Sequence, residues 1–568
     1  MTTPSKPGIQ QLRLRENQLF LALSIVIGIL AGLAAVLFSL AIDSTSHLFF
    51  DLAPTHLRLF AVPALVSVVT GILLATVFPD VRGSGVPQTE AAYRLHGGKI
   101  PGRVPIGKFL TGVLCIGSGH SMGREGPSVQ IGAGIASAIG RWLHLSPERA
   151  KALIPVGAAG ALSAAFNTPV AAVIFALEEI IGDMNAGLLG STVVASVAAV
   201  IVERSILGNA PLFRVPPYHL VHPAELVGYA FLGVIGGVVS LLFCKALLRL
   251  RAAFQRMPTS TRWFQPAIGG VAIGLLLILS PAVMGVGYEF VDQALNGGLV
   301  LKTLLLLCFL KLAATVISYS SGNAGGIFAP SLYIGAMAGG AVGMIVHRVA
   351  PFPTGDPGAY ALVGMGTLFA GIIRAPMTSV FMIFEITQDY QILVPLMVAN
   401  LLSFMISRRY QPTPVYHALL EQDHVHLPSP GLKSGPLGWT ARDIMSDASG
   451  FISAARSVDS VWEDRETNQQ RPWLVGTPDE LIGLLQPERV AEAMESGHGS
   501  EPIGSLVDVP FHHAHPDQAI DVVLERLADS GGLLPIVSRE EIRRVEGVIT
   551  SDDLSKLVRR KRRTAPLS

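Results

Sequence analysis

The apolar positions of the chain fall into runs. Leu19–Ile42 is the first, and its ~24 residues exceed the 7 to 15 of a signal-peptide core while sufficing to cross a bilayer, so a retained membrane helix is predicted. Leu59–Phe78, Leu188–Val202, Leu226–Leu248, Ala267–Val286, Val300–Ser318 and Ile392–Ile406 are long enough to span, or nearly so. Between them, Phe109–Ile116, Val129–Ile139, Val170–Ile181, Ile327–Ala338 and Met377–Ile386 are apolar but short, and most are flanked or interrupted by glycine or proline. Broken helices are predicted there. Beyond the last run, mixed strand and helix patterns predict a soluble domain.

Composition agrees with a membrane setting. Half of the 568 residues are hydrophobic and 15% are charged, against roughly a quarter charged in soluble domains. The formal net charge of +1, with no basic stripe interleaved with aromatics, gives no support to a nucleic-acid partner. Cys115, Cys244 and Cys308 stand alone in apolar surroundings and read as packing residues rather than a disulfide framework or metal site. Arg13 and Arg15 precede the first span, and Arg408 and Arg409 follow the last. This bias places both termini in the cytoplasm, and with no organelle signal visible a plasma membrane (the cell inner membrane in a Gram-negative organism) is the expected location.

The chain also repeats. Gly126-Pro127-Ser128-Val129-Gln130-Ile131-Gly132-Ala133 resembles Ala329-Pro330-Ser331-Leu332-Tyr333-Ile334-Gly335-Ala336, each opening an apolar helix after a glycine-rich turn. Downstream, Asn167-Thr168-Pro169-Val170 leads to Phe175-Ala176-Leu177-Glu178-Glu179-Ile180, as Arg374-Ala375-Pro376-Met377 leads to Phe381-Met382-Ile383-Phe384-Glu385-Ile386. Two homologous halves with discontinuous helices are the pattern of a transporter whose substrate site lies at the repeat interface, near the midplane. Helix N-termini suit an anion there, because their free N–H groups and dipoles hold negative charge without a cationic side chain. Glycines beside the helix-opening prolines would let backbone approach the ion, whereas Gly28 with Gly32, and Gly335, Gly339 and Gly343, read as packing positions.

Three segments, Gly83-Ser84-Gly85-Val86-Pro87, Gly123-Arg124-Glu125-Gly126-Pro127 and Gly326-Ile327-Phe328-Ala329-Pro330, resemble in order the signature loops of the CLC chloride channel and transporter family, over about residues 20 to 420. The resemblance implies an α-helical polytopic membrane protein with an inverted-repeat core, a homodimer with one chloride pathway per subunit. By the same resemblance, Ser84 and Gly85, Ile327 and Phe328, and Tyr416 bind the central anion, and serine at position 84 matches chloride-preferring members. Glu125 corresponds to the gate: ionised it imitates the anion and blocks the pathway, and protonated it swings away. Glu179 matches the internal proton-transfer glutamate of many antiporters, so chloride/proton exchange is the expected mode, with a passive channel as the alternative. Glu178 and Glu179 could instead cap or bridge a helix end.

The domain organisation predicted is a cytoplasmic segment 1–18, a transport domain 19–420, a linker 421–438, a CBS-like domain pair 439–560 and a tail 561–568. Ala441-Arg442-Asp443-Ile444-Met445 and Gly547-Val548-Ile549-Thr550-Ser551-Asp552-Asp553-Leu554 resemble tandem CBS domains, in which Thr550 and Asp553 could hold a nucleotide; a purely structural role is an equal expectation, since Gly483–Glu488 lacks the Thr and Asp. His512, His513 and His515 lack metal-site spacing, and Arg559–Arg563 reads as a solvated or lipid-facing patch. No cofactor or metal is expected. Gly119-His120-Ser121-Met122-Gly123 fits a nucleophile elbow, which leaves a membrane serine hydrolase as a remote reading; Walker and H-E-x-x-H motifs are absent, so the chain is expected not to be an enzyme.

Overall fold

A computed structural model describes residues 9–51, 55–182, 188–209, 212–213, 215, 220–425, 427, 440–464, 471–507, 511–518, 520–539 and 541–553. The chain divides into two compact units, residues 1–427 and 428–568. The predicted tail, Arg559–Arg563 and most of the linker lie outside the described residues.

The first unit is helical. Its first half contains α1 (Ile9–Phe50), α2 (His56–Thr76), α3 (Val86–Arg94), α4 (Arg103–Gly117), α5 (Glu125–Trp142), α6 (Pro147–Phe166), α7 (Pro169–Phe175) and α8 (Leu189–Leu207). The second contains α9 (Glu225–Gln255), α10 (Gln265–Leu279), α11 (Tyr288–Leu295), α12 (Leu301–Ser320), α13 (Phe328–Val349), α14 (Pro357–Ile372), α15 (Pro376–Thr387) and α16 (Leu393–Tyr410), followed by α17 (Val415–Gln422). Seven helical stretches among the described residues are long and apolar enough to cross a membrane.

Two sequence expectations are corrected. The segments around Val129 and Ile327 belong to full helices of 18 and 22 residues, α5 and α13. Their glycine, alanine and serine faces lower the apparent hydropathy but allow backbones to touch: a Cβ on Gly132 would lie 2.3 Å from the Gly157 carbonyl of α6, and one on Gly335 2.3 Å from the Gly364 carbonyl of α14. Conversely, the run Ala267–Val286 is not one helix, because α10 stops at Leu279, before Pro281.

The halves correspond in detail. Lys108 on α4 donates to the carbonyls of Val81 (2.6 Å) and Gly83 (2.9 Å), and Lys311 on α12 donates to those of Val283 (3.1 Å) and Gly285 (2.7 Å). Glu178, just beyond α7, accepts from the amides of Met377 (3.3 Å) and Thr378 (2.9 Å) at the start of α15. Glu385, near the end of α15, accepts from Val170 (2.9 Å) and Ala171 (2.7 Å) at the start of α7. Each helix thus caps the other, which requires the two equivalents to run antiparallel. That is an inverted repeat.

The second unit is a small α/β structure. Strands β1 (Phe451–Ile452), β2 (Trp473–Gly476) and β3 (Leu481–Leu485) form one sheet, parallel then antiparallel; β4 (Leu533–Val537) and β5 (Val545–Thr550) form an antiparallel pair. Helices α18 (Val458–Glu463), α19 (Pro487–Glu495) and α20 (Ile520–Asp529) accompany these strands, with short 3-10 turns at Ala441–Asp443 and Ile503–Leu506.

Candidate functional site: converging helix termini

Three loops meet inside the first unit. Gly123 and Gly326 exchange backbone hydrogen bonds, both 2.8 Å, and the Gly325 amide donates to the Gly83 carbonyl at 3.2 Å. The N-termini of α3, α5 and α13 are thereby drawn together. Gly83 (φ 82°) and Gly85 (φ 102°) occupy the left-handed region, which lets the first loop turn sharply on either side of Ser84. Gly126 comes so close that a Cβ there would lie 2.5 Å from Ser84 Oγ. At the third loop, the Phe328 ring is wedged among Phe166, Phe175 and Phe369, with centroids 4.9, 5.7 and 4.4 Å away, and this fixes the start of α13.

Tyr416 enters from α17 and is fully buried, not at a lipid–water interface where it would anchor a helix. Its placement depends on long-range ties: Arg374 donates to the carbonyls of Pro412 (2.8 Å) and Ser407 (3.0 Å) and to that of Gln411. Arg251 on α9 holds Gln422 (2.9 Å) and Asp423 (2.6 Å) at the far end of the same helix. The hydroxyls of Ser84 and Tyr416 are neighbours, yet neither completes a hydrogen bond within the protein. Leaving a buried hydroxyl unmatched costs about 1–3 kcal/mol. Two side by side among three helix N-termini fit an anion as their missing acceptor.

Glu125 is the first residue of α5 and fully buried. Its Oε1 accepts a 2.7 Å hydrogen bond from Tyr288 Oη. Its Oε2 has no side-chain partner; it lies over Gly123, where a Cβ would be 2.3 Å away, and faces the amides of Glu125 and Ala329. Amides at a helix start favour negative charge, which a carboxylate supplies. Arg124 lies over the Tyr288 ring, its guanidinium carbon 5.6 Å from the centroid.

The other side of the site is built on a wider turn. After α7 the helix continues as a π-helical turn over Ala176–Ile181, a distortion often found at functional sites. It sends Glu178 across to cap α15, so the capping reading holds for Glu178, although the helix capped belongs to the other repeat. Glu179 is buried and lies in the electrostatic neighbourhood of Glu90, Arg94 and Tyr416. Buried Glu90 pairs with Arg94 at 3.0 Å, and His417 Nε2 lies 3.0 Å from the same Glu90 oxygen. Sequence reasoning missed Glu90, Arg94, His417 and Tyr288. A charged pair on the short helix after Ser84 was the available signal.

Residues 66–408 match the family described as voltage gated chloride channel. The chain belongs to this family, the CLC proteins. It is 32% identical over 420 residues to the H(+)/Cl(-) exchange transporter ClcA of Vibrio cholerae serotype O1 (strain M66-2), an alignment covering 71% of this chain and 89% of that protein. Among solved structures it resembles a slow cyanobacterial Cl−/H+ antiporter, with TM-score 0.66, 29% identity and coverage of 71% of this chain and 97% of that one. A eukaryotic CLC transporter shares the fold at TM-score 0.63 and 20% identity over 94% of this chain and 97% of that one.

The remaining candidates are engaged elsewhere. Ser121 Oγ bonds Thr315 Oγ1 at 3.1 Å, while the neighbouring His120 ring faces Ser67 (2.6 Å) and Ser318 (3.2 Å), so among the described residues no base is hydrogen-bonded to this serine as a nucleophile elbow would need. In the second unit, Asp553 accepts from the Thr550 amide (3.0 Å) and hydroxyl (2.7 Å) and from Ser446 (3.1 Å). Thr440 and Asp443 form the same Thr-x-x-Asp cap, whose hydrogen bonds hold the exposed Asp443 carboxyl below its ordinary value. His513 and His515 point ring nitrogens at the carbonyls of Phe511 (3.2 Å) and Val537 (2.9 Å), and burial pushes the His513 imidazole down.

Proposed function

We infer that this chain exchanges chloride for protons across a membrane, with Glu125 as the gate and external proton acceptor and Glu179 as the internal proton-transfer residue. The observation that carries the reading is the pair of buried, unmatched hydroxyls, Ser84 and Tyr416, at three converging helix N-termini with a carboxylate seated beside them. Chloride binds between the hydroxyls and the backbone amides around Gly85, Ile327 and Phe328. Protonation of Glu125 weakens its hold on the amides and frees that position for the ion, and Glu179 passes the proton to and from the cytoplasmic side, beside Glu90. The relatives named above support exchange.

Family resemblance further supports a homodimer in a plasma membrane, and the arginines at 13, 15, 408 and 409 support cytoplasmic termini. The CBS-like unit is assigned a structural role, because Thr550 and Asp553 are bonded to each other in a cap. The test is chloride-gradient-driven proton flux in liposomes. Native protein should move protons uphill, and Glu125→Gln and Glu179→Gln should lose proton movement while chloride flux persists. Chloride flux without proton movement in the native protein would instead make it a channel and demote Glu179.

A further inference from the structure

We propose that Tyr288 is a positioning residue that latches the Glu125 carboxylate in its amide-lined seat, and so sets how acidic the medium must be before the pathway opens. This rests on the gate role of Glu125. The loop carrying Tyr288 is the second repeat's copy of the anion loop: Val81-Arg82-Gly83-Ser84-Gly85-Val86 corresponds to Val283-Met284-Gly285-Val286-Gly287-Tyr288. The match is structural as well. The glycines at 83, 85, 285 and 287 all have positive φ, at 82°, 102°, 54° and 78°, and each loop is held by its repeat-related lysine.

The copies differ at three positions, Arg82/Met284, Ser84/Val286 and Val86/Tyr288, and the last two separate them in what they can hold. At the position of Ser84 the second loop has Val286, which offers an ion no hydroxyl. At the position of Val86, the first residue of the helix, it has Tyr288, whose phenol reaches the gate at 2.7 Å. The first loop serves the ion and the second serves the gate.

The phenol is held rather than free to follow the carboxylate. Lys311 bonds two carbonyls of its loop, and Tyr333 Oη donates to a third, Ala282, at 3.2 Å. Gly287 packs so tightly that a Cβ would meet the Tyr333 ring at 2.8 Å. Phe213 braces the Tyr288 ring edge-on, with centroids 5.1 Å apart. Among the described residues, the charged and titratable groups around the latch are Arg124 over the phenol ring, Tyr416 on the ion side, Lys311 beside Gly287, and Glu203 of α8 within electrostatic reach of Arg124. Tyr288 supplies the side-chain hydrogen bond to the carboxylate. A neutral O–H bonds an ionised carboxylate more strongly than a protonated one, so the latch favours the closed, ionised state.

The test is the pH of half-maximal chloride flux in liposomes. Tyr288→Phe should move it upward by about one pH unit, equivalent to roughly tenfold less acid for the loss of one charge-assisted bond. 3-Fluorotyrosine placed at 288, of nearly the same size and a stronger donor, should move it downward, and it decides the question alone if the phenylalanine variant does not fold. In a Glu125→Gln background, Tyr288→Phe should shift nothing. An unshifted profile in the single variants, or a shift that persists without Glu125, would overturn the latch while leaving the gate intact. If Glu125→Gln alone retains proton coupling and the native pH profile, the gate reading falls and the latch with it.

Discussion

Replacing Glu385 by alanine tests whether the crossed caps hold the two repeats in register. The carboxylate gives one oxygen to the Val170 amide at 2.9 Å and the other to the Ala171 amide at 2.7 Å. A hydrogen bond to a charged group contributes about 1.5–3 kcal/mol when sheltered. The Val170 bond lies at an exposed edge, so solvent reduces its share, and the pair together is expected to contribute ~2–3 kcal/mol. The assay is the half-life of irreversible loss of folded protein in detergent at fixed temperature, followed by size-exclusion chromatography. At about 1.4 kcal/mol per decade, a loss of ~2 kcal/mol shortens that half-life by up to roughly 30-fold. The same variant should lose more proton flux than chloride flux, because the helix that Glu385 caps leads directly into the turn bearing Glu179. Glu385→Ala behaving like Glu148→Ala, a change at an exposed position, would refute the capping argument.

Two other outcomes follow from the same geometry. Ser84→Ala removes one of the two unmatched hydroxyls and should weaken chloride binding by roughly threefold to tenfold in isothermal titration calorimetry; unchanged affinity would remove Ser84 from the ion's contacts. Gly132→Ala and Gly335→Ala each push a Cβ to 2.3 Å from a facing carbonyl and should destabilise by at least ~1–3 kcal/mol in thermal aggregation assays, whereas Gly190→Ala, with nothing within 4 Å, should be neutral.

Much of this architecture is written locally. Apolar runs longer than a bilayer is thick can hardly do anything but span it, and proline and glycine at fixed offsets mark where helices start. The duplicated Pro-Ser and Pro-Val/Pro-Met segments therefore announced two halves, and the resemblance of the three glycine-rich loops to the CLC family implied Ser84, Glu125 and Phe328. The sequence reading cut α5 and α13 short, because their small residues are chosen for contact between backbones rather than for contact with lipid.

Only the tertiary structure decided who holds whom. Tyr288 and Glu125 are 163 positions apart, Glu178 and Thr378 are 200 apart, and His417 and Glu90 are 327 apart. No periodicity along a chain encodes such pairs. They exist because an inverted repeat folds each half's helix termini onto the other's, and a carboxylate, phenol or imidazole buried there takes whichever backbone or side-chain partner the crossing supplies, since leaving it without one in the membrane interior costs several kcal/mol.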